Sequence, residues 1–201
     1  MYADYDPPSI ELANVKFVEV IKETDSLYLC RTRWQGKDCV LKVFSPYKWD
    51  RPEDFANAHL YLISMGVVEN IDPEAEGWQP QLKEFHDKTF PQCLDPKARP
   101  NGVLMEYIPD LKMFDLSNYT EQRARSLHRL LNDIHDAGIV HLDIYPRNML
   151  IQGDSDRVLL IDYELAQIFD PEHSEHPRFF ARERALMDGF VEALVTLSVP
   201  V

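Results

Sequence analysis

The alternation of apolar and polar positions divides the chain into a strand-rich first half and a second half of helices and loops. Val15 to Val20, Leu27 to Trp34 and Cys39 to Phe44 alternate over strand lengths and are separated by turn residues, which predicts an antiparallel sheet. A helix is expected over Pro52 to Met65, packed on that sheet and opened by its proline. Asn70 to Gln81 is polar, acidic and Pro-containing and predicts a surface connection, followed by a strand near Leu82 to Thr89 and a turn-rich link from Pro91 to Gly102. Val103 to Ile108 predicts a buried strand that runs into a Pro109-Asp110 turn, and Asp110 to Asn118 then crosses to the helical part. There Ala124, Leu127, Leu130, Leu131 and Ile134 fall at helical spacing within Thr120 to Ala137, with Gly138 placed to end the helix. Short strands are expected at Met149 to Gln152 and Val158 to Ile161. A final helix spans Arg178 to Leu197, with Phe179, Phe180, Leu186, Phe190, Leu194 and Leu197 as its apolar residues.

The loop between these elements carries the chemistry. His141-Leu142-Asp143-Ile144-Tyr145-Pro146-Arg147-Asn148 precedes the Met149 strand, and Asp162-Tyr163-Glu164 follows the Val158 strand. Pro146 fixes a turn that presents Asp143 and Asn148 on one side. Asp143 can accept the proton of an attacking hydroxyl, the Asn148 carboxamide oxygen is a hard neutral ligand for Mg2+, and Asp162 can bind the metal that bridges phosphates. An Asp and an Asn in such a loop also commonly cap turns and helices, and that reading stands beside the chemical one. Upstream, Val40-Leu41-Lys42-Val43 offers one lysine suited to α- and β-phosphates.

The combination resembles the protein-kinase-like superfamily over Val15 to Ile168: His141-x-Asp143 with Asn148 matches its catalytic loop, Asp162-Tyr163-Glu164 stands in place of Asp-Phe-Gly, and Lys42 matches the strand lysine. The resemblance implies an α+β, two-lobed fold forming one domain over residues 1–201. An antiparallel-sheet lobe with one helix would span about 10–108 and a mostly helical, abbreviated lobe about 109–201, with ATP between them. It implies Met105 as gatekeeper, Glu106, Tyr107 and Ile108 as the hinge contacting adenine, and Ile151 and Ile161 near the adenine floor. Catalysis would fall to Asp143, Asn148 and Lys42, and Mg2+ to Asn148, Asp162 and Glu164, the last because an Asp-x-Glu pair at a strand end puts two carboxylates on one face. Asp188 would be the acid that supports the loop's backbone from the last helix, or else an ordinary surface acid.

The departures are as specific as the matches. Val20 to Tyr28, where a glycine-rich loop is usual, holds no glycine; the helix glutamate that would pair with Lys42 is missing, with Ala58 in its place and Glu53 and Glu69 flanking. Tyr145 occupies the position of the lysine that usually steadies the transferred phosphate, and Glu164 that of a glycine. Glu164, the missing lysine and the absence of an Ala-Pro-Glu motif resemble small-molecule kinases of the aminoglycoside and choline type; Leu142-Asp143-Ile144 and Arg147-Asn148 resemble divergent fungal kinase-like proteins. Two functions therefore remain open: a phosphotransferase using ATP and Mg2+ on an unknown hydroxyl acceptor, protein Ser/Thr or small molecule, and a pseudokinase acting as a binding or regulatory module. A fragment that keeps the fold without function is a third.

Composition narrows the partners. Thirty-four acidic against 21 basic residues give a net charge of -13, which argues against nucleic acid or an anionic membrane as the main partner. No run reaches membrane-span length and the start of the chain lacks a signal-peptide pattern, so the expected location is the cytoplasm. Cys30, Cys39 and Cys93 show no metal-binding spacing and read as buried thiols; Cys30 and Cys39 could face each other across a hairpin turned at Gln35 to Asp38. With 201 residues, and 39 of them after Asp162, little chain remains for peptide-docking helices.

Overall fold

The computed structural model describes residues 8–24, 27–44, 64–68, 71–72, 74–78, 82–83, 99–153, 155–169 and 177–198. The chain divides after Tyr107 into two compact units. The architecture is α+β, with an antiparallel sheet in the first unit and the α-helices Glu121–Asp136 and Pro177–Ser198 in the second.

The first unit is built on β1 (Val15–Thr24), β2 (Leu27–Trp34), β3 (Lys37–Phe44), β4 (Ser64–Val68) and β5 (Asn101–Glu106), in the order β1-β2-β3-β5-β4. The three expected N-terminal strands and the Val103 strand are all present. Gln35 and Gly36 turn the β2–β3 hairpin with φ of 50° and 78°, the pair of positive values that matches the strands' right-handed twist. Cys39 therefore pairs with Thr32 and Cys30 with Leu41, so the two cysteines do not face each other; both are free and buried. Burial pushes the Cys30 thiol well above its ordinary range.

Three expectations fail in this unit. Ser64 and Met65, placed at the end of a helix, belong to β4; the rest of that helix, with Glu53, Ala58 and Glu69, lies outside the described residues. Leu82 and Lys83 are helical rather than extended, while residues 84–89, Cys93 and most of the link from Pro91 lie outside the described residues. The stretch read as a surface connection is anchored inside: Ile71 and Trp78 are buried, and the indole Nε1 donates to the Val15 carbonyl at 3.2 Å. Trp78 also meets Phe17 edge-on at 5.6 Å. Acidic neighbours hid two large apolar residues, each of which contributes about 1.5–3 kcal/mol when buried.

The second unit contains β6 (Leu111–Met113), α1 (Glu121–Asp136), β7 (Ile139–Val140), β8 (Met149–Gln152), β9 (Val158–Leu160), β10 (Gln167–Ile168) and α2 (Pro177–Ser198). β6, β8 and β9 form one small sheet and β7 pairs with β10. The Thr120 hydroxyl caps α1 by accepting from the Arg123 N–H at 3.2 Å. At its other end Gly138 takes φ of +75° and donates to the His135 carbonyl at 2.8 Å. On α2 the buried residues Phe180, Glu183, Met187 and Leu194 follow helical spacing. Leu186 and Leu197, predicted as apolar contacts, are exposed: Leu186 lies off that stripe and Leu197 sits in the last turn. Residues 170–176, read as a linker with His173 and His176, lie outside the described residues.

Candidate active site

The loop from His141 to Asn148 is held from three directions. β7 ends at Val140, where its partner Gln167 fixes the entry, and a 3-10 turn Pro146–Asn148 leads directly into β8. Between them Leu142 takes φ of 62°, a left-handed conformation that costs a non-glycine residue roughly 1–2 kcal/mol.

Glu183 is what offsets that strain. Its carboxylate, 3% exposed, accepts from the backbone N–H of Leu142 at 2.5 Å and of His141 at 3.1 Å. One of its oxygens also receives His135 Nε2 at 2.8 Å, while Arg184 lies 3.3 Å from His135 Nδ1. A buried carboxylate collecting three donors is satisfied where a lone one would be costly. The acid expected in this role, Asp188, does something else: it is exposed and faces His128 Nδ1 at 3.6 Å on α1. The sequence did contain a signal for Glu183, a carboxylate placed within the apolar stripe of a helix.

His141 links the loop to the second acid. The Asp143 N–H donates to its Nδ1 at 3.3 Å, which leaves Nε2 as donor to the Ile161 carbonyl at 2.9 Å. The ring packs on Tyr163, 4.6 Å between centroids, and burial holds its pKa below the ordinary value. Burial likewise raises the Tyr163 phenol out of the titrating range.

Asp143 and Asn148 are brought together as the spacing suggests. The Asn148 Nδ2 donates to the Asp143 Oδ2 at 2.6 Å and to its carbonyl at 2.9 Å. Since a carboxylate only accepts, this fixes the amide's orientation, and the Asn148 Oδ1 meets no protein donor among the described residues. The backbone carbonyl of Asn148 accepts from the Ile161 N–H at 2.9 Å, so the residue before Asp162 is tied to the end of the His141 to Asn148 loop. An orphaned amide oxygen beside a strand leading to a carboxylate fits Mg2+, which takes one or two protein carboxylates and completes its shell with water and phosphate. No cluster of three or more His, Cys, Asp or Glu side chains able to hold a metal occurs among the described residues.

Asp162 stands just past β9 with φ of 67° and opens a 3-10 turn, Tyr163–Leu165. The strand stops at Leu160, so period-two alternation does not relate Asp162 to Glu164, which lies inside that turn. Ile151 is buried on β8, and Ile161, just past β9, is partly buried.

In the first unit Lys42 is buried in β3, between Leu29 of β2 and Val103 of β5. Met105 and Glu106 end β5, and the Tyr107 ring lies under the Arg31 guanidinium at 4.4 Å; Ile108 opens the second unit. β1 and β2 pair up to Thr24 and Leu27 with two bulges, so the described residues of the glycine-free segment lie in paired strands.

The acid-amide loop, the second acid past a short hairpin and the lysine strand agree with a member of the protein-kinase-like superfamily, the class that the comparisons support. The chain belongs to the RIO domain family, whose pattern matches residues 80–196, more than half of its length. It is also similar to a probable casein kinase II subunit alpha homolog of Encephalitozoon cuniculi, 29% identical over 100 residues that make up 47% of this chain and 31% of that one. Similarity extends to the serine/threonine-protein kinase ppk21 of Schizosaccharomyces pombe, 30% identical over 40% of this chain and 14% of the relative. The MAP kinase-interacting serine/threonine-protein kinase mnk-1 of Caenorhabditis elegans is 33% identical over 48% of this chain and 14% of its own. The matched stretches thus span about a third of the first relative and a seventh of the other two. No described helix is long and apolar enough to cross a membrane.

Proposed function

We propose that this chain is an ATP- and Mg2+-dependent phosphotransferase that moves the γ-phosphate to a hydroxyl. The observation that carries the reading is the Asp143–Asn148 pair, hydrogen-bonded at 2.6 Å and fastened through His141 and Glu183. Asp143 orients the acceptor hydroxyl and takes its proton, and the Asn148 amide holds the Asp143 carboxylate in place. Asn148 Oδ1 and Asp162 would hold Mg2+, with Glu164 assisting. When bound, the ion neutralises phosphate charge. Lys42 contacts the α- and β-phosphates; Met105, Glu106, Tyr107 and Ile108 border adenine, with Ile151 and Ile161 along its face. All of these act within a single domain, working in the cytoplasm. The relatives' names favour protein serine or threonine as acceptor, while Tyr145 and Glu164 favour the small-molecule kinase type.

A second reading, a nucleotide- or protein-binding pseudokinase, is supported by the hairpin arm that lacks glycine from Val20 to Tyr28. Calorimetry of ATP with and without Mg2+, together with turnover across protein and small hydroxyl acceptors, separates the two. The enzyme reading expects turnover, loss of Mg2+-dependent binding in Asp162→Ala and weakened nucleotide binding in Lys42→Met. Binding without turnover overturns it in favour of the second.

A further inference from the structure

A row of charged side chains crosses the first unit on the face that carries Lys42. Paired residues of neighbouring strands share a face and successive residues alternate, so Arg31, opposite Glu19 and Val40, lies on the same side as Lys42, which pairs with Leu29. Val40 in turn pairs with Met105, the residue that precedes Glu106 and Tyr107. Arg31 closes a ring of contacts around Tyr107. Its Nη2 donates to the Asp38 Oδ2 at 2.5 Å, the Asp38 carbonyl accepts from the Tyr107 N–H at 3.4 Å, and the Arg31 guanidinium carbon sits 4.4 Å over the Tyr107 ring. Arg33 holds the other oxygen, Asp38 Oδ1, through Nε at 3.1 Å and Nη2 at 3.0 Å, and Arg31 Nη1 reaches the Glu19 Oε1 at 3.3 Å. The Arg31 Nε is buried without a hydrogen-bond partner among the described residues. An ion pair near the surface adds little stability, and one placed for stability alone would not carry that cost.

In a trans peptide the carbonyl and the N–H point in opposite directions, so seating the Tyr107 N–H on Asp38 turns the Glu106 carbonyl away from β3. We propose that Arg31 is a positioning residue for the nucleotide base: by clamping Asp38 and Tyr107 together it sets the direction of the Glu106 carbonyl, the acceptor offered to the adenine amino group. The assignment rests on the phosphotransferase reading, in which Glu106 and Tyr107 border adenine. Arg31 touches no reacting atom, and its effect falls on affinity for the base rather than on transfer.

The test is calorimetry on the full chain with ATP, adenosine and tripolyphosphate as probes, each with Mg2+, beside steady-state turnover of ATP. Arg31→Met is expected to weaken ATP and adenosine alike by about tenfold and to leave tripolyphosphate within about twofold. KM for ATP should rise with kcat within about twofold, a split that a merely structural arginine would not give. Arg31→Lys keeps a cation beside Asp38 and over the ring and should lose less than about threefold. Asp38→Asn alone should reproduce part of the loss, and adding it to Arg31→Met should weaken adenosine by less than about twofold further, because the clamp is already open. Unchanged adenosine affinity in Arg31→Met, an equal loss for tripolyphosphate, or fully additive losses with Asp38→Asn overturns the assignment, while binding and turnover of ATP by the wild type keep the enzyme reading standing. Absence of ATP binding in the wild type overturns both.

Discussion

The two units bury their polar groups in contrasting ways. In the first, the described buried polar side chains are Thr32 and Lys42, set in a core of Tyr28, Cys30, Leu41, Val43, Trp78 and Leu104. In the second they are Arg123, His135, His141, Asp143, Asn148 and Glu183, and all but Arg123 join one hydrogen-bonded network around a single loop. Buried polar groups add little net stability and are costly when half satisfied, so a network of this extent holds a geometry rather than a fold. Among the described residues the first unit is an antiparallel sheet with one buried cation, Lys42. The RIO domain match has the same bias, since residues 80–196 include Asp143, Asn148, Asp162 and Glu183 but not Lys42.

Substitutions test whether the two units differ in this way. The largest effect is expected from Asp143→Asn, which removes the proposed base but keeps the Asn148 neighbourhood: phosphoryl transfer should fall about 10³-fold or more with nucleotide affinity kept, read by single-turnover assay and calorimetry. Glu183→Ala comes next. It strands the His141 and Leu142 N–H groups and His135, and should cost roughly 3 kcal/mol in urea unfolding as well as transfer activity. Asp188→Ala on the same helix should stay within about 0.5 kcal/mol. If the two behave alike, the network has no special standing.

A backbone change in the first unit should separate stability from chemistry. Gly66 takes φ of +155°, and a Cβ there would lie 2.6 Å from the Pro8 carbonyl. Gly66→Ala should cost about 2 kcal/mol in the urea midpoint and leave the activity of the folded fraction unchanged. A selective loss of transfer would show that the sheet is no mere scaffold.

The smallest effect is one of pH. Burial holds the His141 imidazole below 6.5, so just under that pH the unfolded chain takes up a proton that the folded one refuses. The contribution is present above pH 6.5 and is lost as pH falls, so the melting temperature should drop between pH 7.5 and 5.5, and less so in His141→Asn. A drop of equal size in the variant would place the titration elsewhere.

Much of this was legible in the chain itself, because local rules governed it. Strand alternation located β1, β2, β3 and β5, Thr120 and Gly138 bracketed α1, and Pro146 placed the turn that joins Asp143 to Asn148. Each depends on residues a few positions apart, where period, cap and turn chemistry act directly. The misreadings have the opposite character. Ile71 and Trp78 looked solvated among acids until the first unit's sheet supplied a surface for them; Ser64 and Met65 became a strand because β5 offered an edge; and the strand expected to carry Asp162 and Glu164 at its end stopped at Leu160.

Local spacing along the chain sets out the chemical inventory, an acid, an amide, a second acid and the lysine of β3, since covalent distance along a loop or hairpin governs those. Packing chose the acid that braces the loop from His141 to Asn148. Glu183 lies 41 residues from Leu142 and five before Asp188, both acids on one helix, and the difference between them is which face of α2 meets β7. Spacing within a helix can nominate such a residue, but the choice belongs to the packing that buries one carboxylate against two backbone N–H groups and leaves the other in water.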